Sequence, residues 1–350
     1  MIEREVIIVG GGPGGSSTAL RLSLLGIPST ILDKSTFPRV KLCAGWITPR
    51  IHSLLKMEHY PYGILELRKI NFTFYTKKQK EISFSAKTKQ YSIRRYEFDH
   101  WLLEMSRAEF FQHQVKNIEV DEDGYFVIDN EYRAKFLVGA GGTYCPVYRK
   151  FFHEQNPRSK EVQIAALEIE FPYEYQDQNC YLWFFENGLP GYSWYVPKAN
   201  GYLNIGIGAF SHFVKPSLHW HFDHFITKLK KLKLLNHFEQ EPKGHTYYLR
   251  EKTKNIQNHR VFLVGDAAGL ATFDLGEGIG PAIESGFQVA GVIAKHDALN
   301  LNKIPFSSNQ DFGRLFSFLM NQEVYERFYA FPWNWKEKVV YAILKLLQIV

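Results

Sequence analysis

A chain of 350 residues has room for one large domain or two closely joined ones, and its formal charge of +6 is scattered in short clusters, which argues against nucleic-acid binding. Cys43, Cys145 and Cys180 are far apart and lack zinc spacing, so they exclude a disulfide scaffold and a structural metal and suit a reducing, cytoplasmic setting. Glu3 and Glu5 ahead of a short apolar run give no signal-peptide pattern, and no segment reaches the ~20 apolar residues of a spanning helix. The 28 Phe, 20 Tyr and 7 Trp suit a pocket for a flat cofactor or an apolar ligand, although most such rings serve as core.

The chain opens on an apolar strand, Val6-Ile7-Ile8-Val9, followed by Gly10-Gly11-Gly12-Pro13-Gly14-Gly15, a helix, and a second apolar run Thr30-Ile31-Leu32 that ends on Asp33. Strand, glycine turn, helix and strand-terminal acid in this register form a βαβ unit that holds a dinucleotide. Gly10 allows the tight turn, Gly12 lets backbone approach phosphate, and Gly15 lets helix and strand pack closely. Asp33 stands where a carboxylate accepts from the adenosine ribose hydroxyls.

A polar loop punctuated by proline and glycine (37–49) leads to a short helix. Ile70, Phe72 and Phe74, then Ile82 and Phe84, alternate as an antiparallel hairpin. A helix is expected from about Glu97 to Phe111, a strand pair around Ile118–Ile128 turned at Asp123-Gly124, and then the apolar strand Phe136–Gly139. In the middle third, Val162–Phe171, Cys180–Glu186, Tyr192–Val196 and Tyr202–Ile207 lie between the turns Asn187-Gly188 and Asn200-Gly201 and predict an antiparallel sheet. The region of Lys228, Lys230, Lys231 and Lys233 reads as a helix with a solvated basic face.

Val261–Val264 is a buried strand running into Gly265-Asp266-Ala267-Ala268, and Gly276, Glu277, Gly278 and Gly280 open a long helix to about Ala294. A nicotinamide enzyme has no need of a second anion-binding turn so far from the first, whereas FAD is long enough to use both. Asp266 is then expected at the ribityl chain, and the Gly276–Gly280 turn at the flavin pyrimidine. The expected fold is α/β. A Rossmann-like, glutathione-reductase-type FAD-binding domain (1–65, 91–150 and 256–297) is interleaved with an antiparallel-sheet substrate domain (66–90 and 151–255), and a C-terminal helical segment (298–350) follows. The final run Val339–Val350, broken by Lys345 and Gln348, either packs on the body of the protein or lies on a membrane surface as a peripheral contact.

The GGGPGG turn, Arg95-Tyr96-Glu97-Phe98-Asp99 and the late GDAAG and GEGIGPAIESG segments resemble FAD-dependent oxidoreductases of the aromatic-hydroxylase superfamily. Within it, Lys41-Leu42-Cys43-Ala44-Gly45, Tyr192–Lys198 and Asn204–Gly208 resemble the geranylgeranyl reductase family, over residues 2 to about 294. The resemblance implies cofactor contacts from Gly10, Gly12, Pro13, Gly14, Gly15, Asp33, Lys34, Lys41, Ala44, Arg95, Gly141, Gly265, Asp266, Gly276, Gly278 and Ile279. It places Cys43 in a loop beside the flavin ring, and Trp46, Tyr192, Trp194 and Tyr195 around a long apolar substrate pocket. Alternation puts Tyr192, Trp194 and Val196 on one face and Ser193 and Tyr195 on the other, without saying which face is the pocket. Where the aromatic hydroxylases carry an Asp-Gly pair, this chain has Gly139-Ala140-Gly141-Gly142, which weakens an NADPH-dependent hydroxylase reading; Cys145 nearby is expected to be structural.

The leading expectation is an FAD-dependent reductase that saturates carbon-carbon double bonds of an isoprenoid or other apolar lipid chain, reduced by NAD(P)H or a ferredoxin-like protein. Because an isolated alkene is a poor hydride acceptor, proton delivery and exclusion of water dominate the chemistry. Cys43 is the candidate acid or pocket gate, with a small buried cysteine of no chemistry as the alternative; His52 and His59 receive no role. The alternatives are a flavin-dependent monooxygenase or halogenase, faintly suggested by Trp194-x-x-Pro197, and a non-catalytic FAD-binding redox sensor.

Overall fold

The computed structural model describes residues 1–75, 79–236, 238–251, 255–296, 298–306 and 308. These form two compact units between which the chain alternates: Met1–Lys41, Arg95–Ser159 and Tyr247–Ser308 in one, Leu42–Arg94 and Lys160–Thr246 in the other. The first crossing lies at 41/42 instead of 65/66, because Trp46–Ile47 is a strand paired with Ser92 and Tyr91 of the second unit's sheet. Residues 298–306 belong to the nucleotide unit instead of a separate tail. Ile304 is in its core, and Arg250 donates to the Leu301 and Ile304 carbonyls at 2.7 and 2.6 Å. The rest of the expected helical segment, with Val339–Val350, falls outside the described residues.

The nucleotide unit is built on five parallel strands in the spatial order Val261–Leu263, Tyr132–Gly139, Ile2–Val9, Ser29–Asp33 and Glu109–Gln112. Val6, Ile7 and Ile8 are wholly buried, as a continuous apolar run must be when both faces of a parallel sheet are covered. The edge strand Glu109–Gln112 corrects the expected helix, which ends at Ser106. There the Ser106 hydroxyl bonds the Leu103 carbonyl, and Arg107 turns left-handed, so Phe110 and Phe111 enter the sheet. The helices Pro13–Leu24 and Ile279–Ile293 pack on each other at Gly286, where a Cβ would stand 2.6 Å from the Gly14 carbonyl.

The second unit is one eight-stranded sheet. Its order is Lys243–Tyr248, Gln163–Pro172, Tyr202–Phe210, Gly191–Lys198, Cys180–Phe184, Leu65–Tyr75, Glu81–Ser92 and Trp46–Ile47. The hairpins expected at Asn200-Gly201 and between 65–75 and 81–92 are present. The sheet is not antiparallel throughout, since Cys180–Phe184 runs parallel to Leu65–Tyr75.

One face is covered by the helix Leu218–Lys231, which Ser217 caps by accepting from the Trp220 amide. Phe222, Phe225 and Leu229 pack there with Tyr195, Leu203, Ile205 and Ile207. Lys228 departs from the solvated face expected of it: its ammonium bonds Glu186 at 3.0 Å and Tyr75 at 2.6 Å and lies over the Trp183 ring. The opposite face carries a row of rings across four strands. Phe84 stacks on Phe74, Phe74 on Phe184, Phe184 on Tyr192, and Tyr192 tilts against Trp194, with centroids 4.7 to 6.0 Å apart.

Candidate functional site

The glycine turn of the nucleotide unit is shaped by close backbone approaches. Gly10 has φ +111°, and a Cβ there would lie 2.5 Å from the Ala140 carbonyl oxygen; a Cβ on Gly15 would overlap the Gly10 carbonyl. Pro13 occupies the first turn of the following helix, whose N-terminal amides face the turn. Asp33 at the end of the second strand holds the turn with one carboxylate oxygen, accepting from Gly11 N at 2.7 Å, and accepts from Ser35 N with the other at 2.9 Å. Gly12 faces an arginine: a Cβ there would find Arg39 as its nearest neighbour, at 3.5 Å.

That arginine was not legible in the sequence. Asp99, wholly buried, takes Arg95 in a bidentate pair at 2.5 and 2.7 Å and stands 3.4 Å from the Arg39 guanidinium. One carboxylate thus anchors two cations, a charge arrangement suited to a diphosphate. Arg95 lies in this pair at the start of its helix, so the guanidinium nearest the glycine turn is that of Arg39. Lys34 and Lys41 are exposed.

The second cradle starts where the buried strand Val261–Leu263 runs into Gly265, which has φ +57° and whose amide donates to Ser285 Oγ at 3.1 Å. Asp266 follows, and its Oδ1 would lie 3.3 Å from a Cβ on Gly278, the residue before the helix that Ile279 begins. Gly276, at φ +64°, abuts the Tyr247 ring. The Arg158 guanidinium, stacked on Tyr148, bonds the carbonyls of Thr143, Asp266 and Ala267 and so ties the second cradle to the loop after the strand Tyr132–Gly139. Gly141 and the wholly buried Cys145 pack together in that loop. Glu277 accepts from Gly280 N at 2.6 Å; desolvation pushes its carboxyl up to about 7, and Asp274 and Glu284 add to the rise. Two glycine turns without intruding side chains, two helix N-termini and a paired arginine fit the pyrophosphate and ribityl portions of FAD.

In the sheet unit, Cys43, Ala44 and Gly45 form a tight turn in which Gly45 N donates to the Cys43 sulfur at 3.3 Å. Their loop lies against the aromatic face through side chains that sequence reasoning missed. Asn204 Oδ1 accepts from the Trp194 indole at 2.6 Å, while its Nδ2 donates to Glu168 at 3.2 Å and to the Cys43 carbonyl at 3.4 Å. Lys198, at the end of the Trp194 strand, donates to the Ala44 carbonyl at 2.9 Å. The available signal was polar residues at alternate positions of otherwise apolar strands, which a sheet tolerates only when they are bonded. Trp46 bonds Gln90 at the sheet's edge, and Tyr192 is half-buried beside Trp194. Tyr195 has to be taken out of the expected pocket set, because it points to the other face, wholly buried in the core under the helix Leu218–Lys231.

Among the described residues no helix is long and apolar enough to cross a membrane. The FAD binding domain family matches residues 3–65. An uncharacterized protein of Methanosarcina barkeri is 30% identical over 305 residues, covering 84% of this chain and 75% of that protein. Digeranylgeranylglycerophospholipid reductase 2 of Methanosphaera stadtmanae is 25% identical, covering 84% and 78%. Among solved structures, a geranylgeranyl bacteriochlorophyll reductase-like protein of Thermoplasma acidophilum superposes with a TM-score of 0.71 at 21% identity, covering 94% of this chain and 84% of that one. The glycine cradles, the Asp99-held arginine pair and these likenesses converge: the chain is an FAD-dependent oxidoreductase, similar over most of its length to digeranylgeranylglycerophospholipid reductases.

Proposed function

We propose that the protein saturates carbon-carbon double bonds in an isoprenoid or similarly apolar lipid chain. The observation that carries this reading is the attachment of the Cys43 loop to the aromatic face of the sheet through Asn204, which bonds both the Trp194 indole and the Cys43 carbonyl. A cysteine turn anchored to a face of stacked rings matches the needs of a substrate that has no polar handle and requires a proton.

In this reading Gly10, Gly12, Pro13, Gly14 and Gly15, with Asp33 and Arg39, hold the adenosine diphosphate portion of the cofactor. Gly265, Asp266, Gly276, Gly278 and Ile279 hold its ribityl and pyrimidine portion. When bound and reduced, FAD supplies a hydride for one alkene carbon. Cys43 gives its Sγ proton to the other carbon and regains one from solvent, so the alkene takes up two electrons and two hydrogen nuclei in all. Tyr192, the half-buried ring of the row, offers apolar surface to the chain and displaces water from it, backed by the buried rings of Trp194, Phe184 and Phe74.

The test is anaerobic incubation of the holoprotein with dithionite and a panel of prenyl lipids, followed by mass analysis for two added hydrogens per saturated bond. Cys43→Ala is expected to keep the flavin spectrum and lose most turnover. Full activity in that variant removes Cys43 from the reaction. Oxygen-dependent hydroxylation or halogenation without anaerobic saturation replaces the reductase reading.

A further inference from the structure

Lys198 is wholly buried, an unusual place for an ammonium group. Its Nζ donates to the Ile93 carbonyl at 2.6 Å and the Ala44 carbonyl at 2.9 Å, and pairs with Glu170 Oε2 at 3.1 Å. Three donors thus meet three acceptors. The turn they enclose has no slack: Gly45 stands at φ +68°, its carbonyl accepts from Ile93 N at 2.9 Å, and a Cβ there would overlap the Ile93 carbonyl and the Lys198 ammonium. Asn204 takes the preceding carbonyl, that of Cys43, so two successive carbonyls of the cysteine turn are each held by a side chain of the hairpin that bears Trp194.

A buried ion pair is an expensive way to stabilise a fold, and apolar residues of similar volume often do as well or better. What an apolar replacement cannot do is grip a carbonyl. We propose that Lys198 is a positioning residue for the proposed reaction: it fixes the Cys43–Gly45 backbone and thereby where the thiol is presented. The proposal rests on the reading of Cys43 as the proton donor.

The test uses holoprotein of two variants, Lys198→Met and Lys198→Met combined with Glu170→Gln, the second removing the charge that Lys198 balanced while keeping an oxygen for Arg94, which donates to Glu170 Oε1 at 2.9 Å. Alkylation of Cys43 by iodoacetamide is followed by peptide mass analysis, alongside bound flavin, thermal midpoint, kcat and KM. Lys198→Met is expected to speed alkylation about tenfold and lower kcat about tenfold, with flavin content unchanged and KM within about twofold. The double variant is expected to recover the thermal midpoint while alkylation stays fast and kcat stays low, which a purely structural lysine would not produce. Alkylation at or below the wild-type rate in both variants, or kcat recovering together with stability in the double variant, overturns the proposal. If the wild-type protein reduces no prenyl lipid, the functional reading fails by itself, and the alkylation comparison still decides whether Lys198 holds the turn.

Discussion

Trp194 lies flat across the backbone of Gly206, and its indole N–H reaches beyond it to Asn204 at 2.6 Å. A methyl group on Gly206 would collide with the indole and stand 2.6 Å from Cβ of Glu168. Gly206→Ala should therefore cost about 1–3 kcal/mol by overpacking, read as a lower urea midpoint, and should change the near-ultraviolet dichroism of the aromatic face. Gly201→Ala, at a turn with φ +67° and open space around it, should cost only about 1 kcal/mol and leave that dichroism alone.

Arg39→Gln is expected to weaken FAD binding about tenfold, measured by quenching of flavin fluorescence on titrating apoprotein, with a steeper salt dependence in the wild type. Asp99→Ala should act on the fold instead. It removes the buried carboxylate that balances Arg95 and Arg39 and should lower apoprotein stability by about 3–5 kcal/mol. Equal loss of FAD affinity and no loss of stability in both variants would contradict the division of roles.

Glu277 makes a pH-dependent prediction. Its carboxyl sits at about 7 in the folded protein against an ordinary 4.5, so folding favours the protonated form. The stability this contributes is full below pH 4.5 and is lost as pH rises through 7. Glu277→Gln keeps the acceptor for Gly280 N and never ionises. The apo variant should match the wild type near pH 4 and exceed it by about 3 kcal/mol at pH 8, in paired denaturant melts. A difference that is flat with pH would rule out this assignment.

Thiol counting separates the three cysteines. Cys145 and Cys180 are wholly buried, and desolvation raises both thiols, whereas Cys43 is half-buried in its turn. Native protein should show one fast thiol toward a disulfide reagent, absent in Cys43→Ala, with the other two about a hundredfold or more slower.

The parts of this molecule that a reader of the sequence finds are those whose signals are local. The first glycine turn, its helix and Asp33 lie within a few dozen residues, and Gly10 and Gly15 answer to backbone approaches from the adjacent strand and from the turn itself. Arg39 does not show itself, because its meaning comes from Asp99, sixty residues on, and an arginine in a proline-bearing loop has no pattern of its own. The alternation of Tyr192 to Val196 is legible, but its polarity is set by the helix Leu218–Lys231, which chose the face that holds Tyr195. The helix expected to run to Phe111 was lost to a strand because the edge of a parallel sheet was open beside Ser29–Asp33, and pairing there outweighed local helical preference.

The alternation of the chain between two units bears on how the protein is made. The strand Ile2–Val9 is made well before Val261–Leu263, which joins the sheet, and before the helix Ile279–Ile293, which covers Gly14. Until then the growing sheet keeps an unpaired edge at Leu137–Gly139 and a bare apolar face, the kind of surface that chaperones shield. A nascent chain released before Val261 would hold the first glycine turn and still have no finished compartment for the coenzyme.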